Sequence, residues 1–174
     1  LLGTANVARR APEGGWHGDV LDGLGFIGAT QRAGFQTTGA RALLVGAGGA
    51  GGAIGMELLN SSVNWQAIYD SNIVRLDALL KKLTRLFPGR VGLGTDDPSG
   101  FEIIINATPL GMTDTDPSPI DLNKLGSHML VGDVITRPAI TPLLATAQRI
   151  GCTTQNGIEM FDATVELTID VFVG

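Results

Sequence analysis

Three glycines at the end of one short apolar run limit what this chain can fold into more than any other feature. Ala42-Leu43-Leu44-Val45 is apolar without alternation, as in a parallel strand covered on both faces. It runs into Gly46-Ala47-Gly48-Gly49-Ala50-Gly51, which fits G-x-G-x-x-G at Gly46, Gly48 and Gly51 and opens a helix expected to end near Asn60. Each glycine then has its own task. Gly46 permits a tight turn, Gly48 lets backbone approach a pyrophosphate, and Gly51 lets the helix sit close to the sheet. The helix start, with Gly49 and Ala50, offers free N–H groups to phosphates. A helix needing small residues only for packing would look similar in composition. The strand before it and the helix after it favour the dinucleotide reading.

Glycine is punctuation in this chain. It contributes 25 of 174 residues, seven of them between Gly39 and Gly55 and none between Met56 and Pro88, against an average share of about 7%. Between these marks, segments alternate. Ala67 to Asp70 reads as a second strand, and Leu76, Leu79, Leu80, Leu83 and Leu86 form a helical stripe stopped by Pro88-Gly89. Val91 to Leu93, Phe101 to Asn106, Met129 to Ile135 and Cys152 to Thr154 read as further strands, and Thr141 to Ile150 and Ile158 to Val171 as helices. This is an α/β pattern, expected to fold as a Rossmann-type doubly wound parallel sheet of six strands in the order 3-2-1-4-5-6. Residues 1–40 fit less well and read as a lead-in from another domain, with a hinge helix near Leu21 to Ala33. Residues 41–157 form the nucleotide-binding domain and 158–174 a closing helix.

Asp70 sharpens the cofactor. It ends the second strand nineteen positions beyond Gly51, where an acid accepts hydrogen bonds from the adenosine ribose and repels a 2′-phosphate. The next four residues bring no cation, the first being Arg75. NAD is therefore expected in preference to NADP. The plainer alternative is that Asp70 or Ser71 only caps the following helix.

Composition excludes other classes. Twelve basic against 17 acidic residues give a net charge of −5, which disfavours nucleic acid and anionic membranes as partners. One cysteine, Cys152, forms no internal disulfide and reads as a buried strand residue; His17 and His128 make no metal cluster. The longest uncharged stretch, Ala42 to Met56, is too short and glycine-rich to span a bilayer. The acids between Asp114 and Asp121 read as a solvated loop. A cytoplasmic location is expected, and the chain, starting at Leu1, is expected to be part of something longer.

Asn106-Ala107-Thr108-Pro109-Leu110-Gly111-Met112 ends the fourth strand beside the crevice. Taken with the glycine loop, it resembles the shikimate and quinate dehydrogenase family, whose cofactor domain carries N-A-T-P-x-G-M. Gly3-Thr4-Ala5-Asn6, Gly18-Asp19-Val20-Leu21-Asp22-Gly23, the segment from Asp133 to Leu144, and Gly157-Ile158-Glu159-Met160 resemble further family motifs in the same order. The resemblance implies hydride transfer between NAD(P) and a cyclic hydroxy acid, with the substrate domain mostly ahead of this chain. By resemblance, Asn6 contacts substrate and Asp22 partners a catalytic lysine, although a turn and a helix cap are the plainer readings of the two. Asn106, Thr108, Pro109, Gly111, Met112, Val134 and Gly157 are placed along the cofactor.

The departures are specific. The family's Asn-Thr before the acid is Val20-Leu21, its tyrosine is Thr136, its glutamine is Thr164, its second late glycine is Glu159, and its N-R-T clamp is Asp70-Ser71-Asn72. Thr136 and Thr164 thus stand at substrate positions with changed chemistry, and a divergent substrate is expected. The expected partners are a small hydroxy acid and the substrate domain of the same protein, with a homodimer left open. The alternatives are a non-catalytic NAD-binding sensor or interaction module, and another two-domain dehydrogenase such as a methylene-tetrahydrofolate type.

Overall fold

Strand β3 (Arg41–Val45) lies at the centre of the sheet because its residues from Ala42 onward are apolar on both faces and almost wholly buried. It pairs in parallel with β4 (Trp65–Tyr69) on one side and β6 (Ile103–Asn106) on the other. Beyond β4 lies β5 (Val91–Leu93); beyond β6 lie β7 (Leu130–Asp133) and β8 (Thr153–Gln155). The order β5-β4-β3-β6-β7-β8 is the doubly wound order expected. The computed structural model describes residues 5–173, with side chains through Ile169.

Strand alternation divides the core. Leu44, Ile68, Ile103 and Ile105 face one hydrophobic cluster with residues of α1 (Asp22–Arg32), α2 (Gly49–Asn60) and α3 (Ile73–Leu86). Leu43, Val45, Ala67, Ile104 and Val131 face a second cluster with α4 (Pro142–Ile150). Helix ends follow local chemistry. Asn72 caps α3 by accepting from Arg75 N at 3.1 Å, and Thr141 caps α4 by accepting from Leu144 N at 3.3 Å. At the start of α5 (Gly157–Val173), Asn156 Oδ1 accepts from Glu159 N while Glu159 Oε2 accepts from Asn156 N, a reciprocal capping box.

Two sequence expectations change. The lead-in contains an antiparallel hairpin, β1 (Val7–Arg10) with β2 (Trp16–Asp19), that no hydrophobic alternation announced. Cys152 is buried as expected but sits just before β8, its Sγ directed at Gly126 O. Helix α1 packs against both α2 and α5, closely enough that a Cβ at Gly25 would lie 2.0 Å from Thr164 Oγ1.

Gln66, fully buried in β4, has both amide atoms without a hydrogen-bond partner, and a Cβ at Gly55 would lie 2.7 Å from its Nε2. An unsatisfied buried amide costs about 1–3 kcal/mol. Gln66→Met, similar in volume and free of that cost, should raise stability by about 1 kcal/mol, read as a higher denaturation midpoint; a lower one would show that the amide has a partner. Among the described residues no helix is long and apolar enough to cross a membrane.

Candidate active site

The glycine loop is built by close approach. Gly46 has φ of +109°, and a Cβ there would lie 2.6 Å from Ala107 O. A Cβ at Gly51 would come within 2.0 Å of Gly46 O, so α2 can start against its own loop only without a side chain at that position. Gly48 differs: a Cβ there meets nothing within 4 Å, because the residue borders an open crevice. Gly48 is also the N-cap of α2 and supplies no side-chain acceptor. The first N–H groups of α2, at Gly49 and Ala50, therefore have no side-chain cap and stand ready for an anion.

Asp70 holds this loop together. Its Oδ2 accepts from Ala47 N at 2.8 Å and its Oδ1 from Asn72 N at 2.7 Å, with the residue only 5% exposed. The cap of α3 is Asn72, so the capping alternative for Asp70 and Ser71 is corrected: Asp70 joins β4 to the glycine loop and leaves the cap to its neighbour. Arg75, three residues past the cap, folds back to place Nη2 3.5 Å from Asp70 Oδ1. The crevice, about 310 Å³, runs over the carboxyl ends of β3, β4 and β6, and among the described residues Arg75 is the one cation bordering it.

Thr108 and Pro109 form part of the crevice wall. The Asn106 side chain is not part of that wall. Its Nδ2 donates to Asp133 and to Leu110 O, and its Oδ1 accepts from Thr108 N and Thr108 Oγ1. With all its hydrogen-bonding groups engaged, Asn106 positions the wall from behind. Gly111 and Met112 also lie outside the crevice lining. Gly111 takes φ of +106°, and its N–H donates to Asp116 Oδ2, which also accepts from Thr113 N. The expected solvated loop is thus anchored by Asp116, whose pKa is lowered by these bonds. Asp133 anchors the other side: buried, it accepts from Ile135 N at 3.0 Å and Thr141 Oγ1 at 2.8 Å. Burial pushes its pKa up despite those donors.

A second cleft, about 610 Å³, lies along α5 beside the start of α1 and brings Asn6, Asp22, Val134, Thr136, Gly157 and Thr164 together. Ala50 borders it too, so the start of α2 adjoins both cavities. Asp22 is the first residue of α1, and Leu21, not Asp22, is the N-cap. The carboxylate instead accepts from Asn6 Nδ2 at 2.6 Å, and Asn6 Oδ1 accepts from Leu21 N at 2.9 Å. Burial raises the Asp22 pKa, and the Asn6 bond opposes the rise. A Cβ at Gly157 would lie 2.4 Å from Val134 O, which explains a glycine where α5 begins. Thr164 Oγ1 donates back to Met160 O at 2.9 Å, leaving only its lone pairs for a ligand.

The opposite wall is the apolar stripe Phe161, Val165 and Ile169 of α5, which sequence reading had not singled out; the i, i+4, i+8 spacing was its signal. Among the described residues no lysine or arginine borders this cleft. Lys81 pairs with Asp77 on α3, and Lys124 with Asp97. Gly3 and Thr4 of the first motif lie outside the described residues. His17 pairs with Glu13 at 3.3 Å, and the described residues contain no group of three or more potential metal ligands.

No protein-family model matches the chain. A shikimate dehydrogenase (NADP(+)) of Geobacter sulfurreducens is 34% identical over 184 aligned positions, covering 100% of this chain and 64% of that protein. The solved quinate dehydrogenase of Corynebacterium glutamicum in complex with NAD is 26% identical, with a TM-score of 0.84, over 98% of this chain and 62% of that one. The ligand-free 5-ketofructose reductase of a Gluconobacter strain is 25% identical, with a TM-score of 0.87, over 99% and 64% respectively. The chain thus spans a little under two thirds of these proteins.

Proposed function

We propose that this chain, related along its whole length to the shikimate and quinate dehydrogenases, is the dinucleotide-binding unit of an oxidoreductase acting on a cyclic hydroxy acid. The observation that carries the reading is the meeting of two cavities at the start of α2. The glycine-loop crevice adjoins Gly48, and the cleft holding the Asp22–Asn6 pair adjoins Ala50. A dinucleotide laid across the helix start would put its adenosine half in the first and its nicotinamide half in the second, with the pyrophosphate at the uncapped N–H groups. The open space beside Gly48 fits such a ligand. When bound, the nicotinamide supplies the hydride donor or acceptor.

Asp22 is the catalytic group of this chain in that reading. Asn6 fixes its carboxylate, and the half-buried site makes proton exchange with an adjacent ammonium easier to tune. By resemblance that ammonium is a lysine of the preceding substrate domain, the partner of this unit. Val134 and Gly157 line the nicotinamide end; Thr136 and Thr164 face the substrate. NAD is the preferred cofactor, because Asp70 places a carboxylate at the ribose edge. None of these observations favours a non-catalytic module.

Threonines where the family has a tyrosine and a glutamine remove long polar groups from the substrate side. Each unpaired polar group costs about 1–3 kcal/mol, so several losses should slow shikimate oxidation by roughly a hundredfold or more. The test is NAD reduction by the complete protein with shikimate, quinate and less hydroxylated ring acids. Turnover is expected with at least one ring acid and slow turnover with shikimate. No turnover with any of them overturns the enzymatic reading; shikimate turnover as fast as the best of them overturns the divergence.

A further inference from the structure

The adenosine end of the crevice holds one carboxylate that the reading above does not use. Asp96 follows β5 and borders the same cavity as Ser71 and Arg75. Its backbone is fixed, since Asp96 O accepts from Asp121 N at 2.9 Å. Its neighbours are committed: Asp97 binds Lys124, which also reaches Asp121. Among the described residues no hydrogen bond or ion pair engages the Asp96 carboxylate itself.

Several other polar groups around it are already engaged. Ser118 Oγ donates to Ile120 O at 2.7 Å, Thr108 Oγ1 donates to Asn106, and Asp70 is held by two backbone N–H groups. Val45, Ala107, Pro109 and Pro119 supply apolar walls, suited to the faces of a planar ring. A ring seated there meets a single unengaged acid at the rim, and that acid can only accept.

We propose that Asp96 accepts a hydrogen bond from the 6-amino group of the cofactor's purine, so that the crevice selects adenine over hypoxanthine. The proposal rests on the dinucleotide reading of the crevice. Hypoxanthine carries a carbonyl oxygen at the same position, and a carboxylate facing it is repelled instead of bonded. Asparagine at this position offers either an acceptor or a donor and discriminates little.

The experiment is calorimetric titration of the protein with NAD and with nicotinamide hypoxanthine dinucleotide, repeated for Asp96→Asn. The wild type should bind NAD about tenfold more tightly, and Asp96→Asn should bring the ratio below about threefold with an unchanged melting temperature. Equal affinities in the wild type, or an unchanged ratio in Asp96→Asn, would overturn the role of Asp96 while leaving the dinucleotide reading intact. Binding of neither dinucleotide would overturn both.

Discussion

Asp22→Asn in the complete protein should lower turnover by about two to four orders of magnitude while leaving NAD affinity within about twofold. The carboxylate borders the cleft beside α5, away from the Gly46–Gly48 crevice, so in the proposed reading its loss weakens proton transfer while the contacts to the adenosine half and the pyrophosphate remain. Stability should change by less than about 1 kcal/mol, because two small effects oppose each other. Asparagine keeps an oxygen that can accept from Asn6 Nδ2, and it removes a charge that burial disfavours. It also removes an acid from the first turn of α1, where the helix dipole favours one.

The pH dependence follows in sign. The folded-state pKa of Asp22 is raised above 3.8, so its contribution to stability is complete below that value and is lost as pH rises through the folded pKa. The wild-type advantage over Asp22→Asn should therefore shrink on going from acid to neutral pH. Steady-state kinetics and melting curves against pH check both parts. Normal turnover in the variant would remove Asp22 from the chemistry.

Cofactor preference should be set by a contest between Asp70 and Arg75. A 2′-phosphate near the Asp70 carboxylate meets a repulsion of a few kcal/mol at an effective dielectric of about 20, and Arg75, 3.5 Å from that carboxylate, offsets part of it. NAD should bind about tenfold more tightly than NADP. Arg75→Ala should widen the gap by removing the offset, and Ser71→Arg should narrow or reverse it. Asp70→Asn is a poorer probe. It turns an acceptor toward Ala47 N or Asn72 N into a donor and should cost about 1–3 kcal/mol of stability. Titration of both variants with both cofactors checks this, and tighter NADP binding by the wild type would contradict it.

Much of the fold was legible because central parallel strands announce themselves. Leu43 to Val45 and Ile103 to Ile105 are continuous apolar runs, and Leu76, Leu79 and Leu83 repeat at helical spacing. The hairpin of Val7–Arg10 and Trp16–Asp19 was not legible, since most of its residues are exposed and its sequence has no alternation to read. In the site, Gly46 and Gly51 were readable because close backbone approach demands them at fixed spacing, and Gly48 because the same spacing leaves it beside the open crevice. Side-chain direction was not readable. Asn106 turns inward to Asp133, twenty-seven residues away, and Arg75 turns back over Asp70. Neither orientation is encoded in a local pattern; both follow from which acceptors the folded sheet brings within reach.

The dinucleotide reading is tested most directly by calorimetric titration of the chain with NAD, alongside Gly48→Asp. A side chain at Gly48 meets open space and should not disturb the fold, yet it puts a negative charge where the pyrophosphate would lie. The expected result is binding of one NAD per chain, with at least a hundredfold loss in Gly48→Asp at an unchanged melting temperature. Absence of NAD binding, or equal affinity in the folded variant, would contradict it.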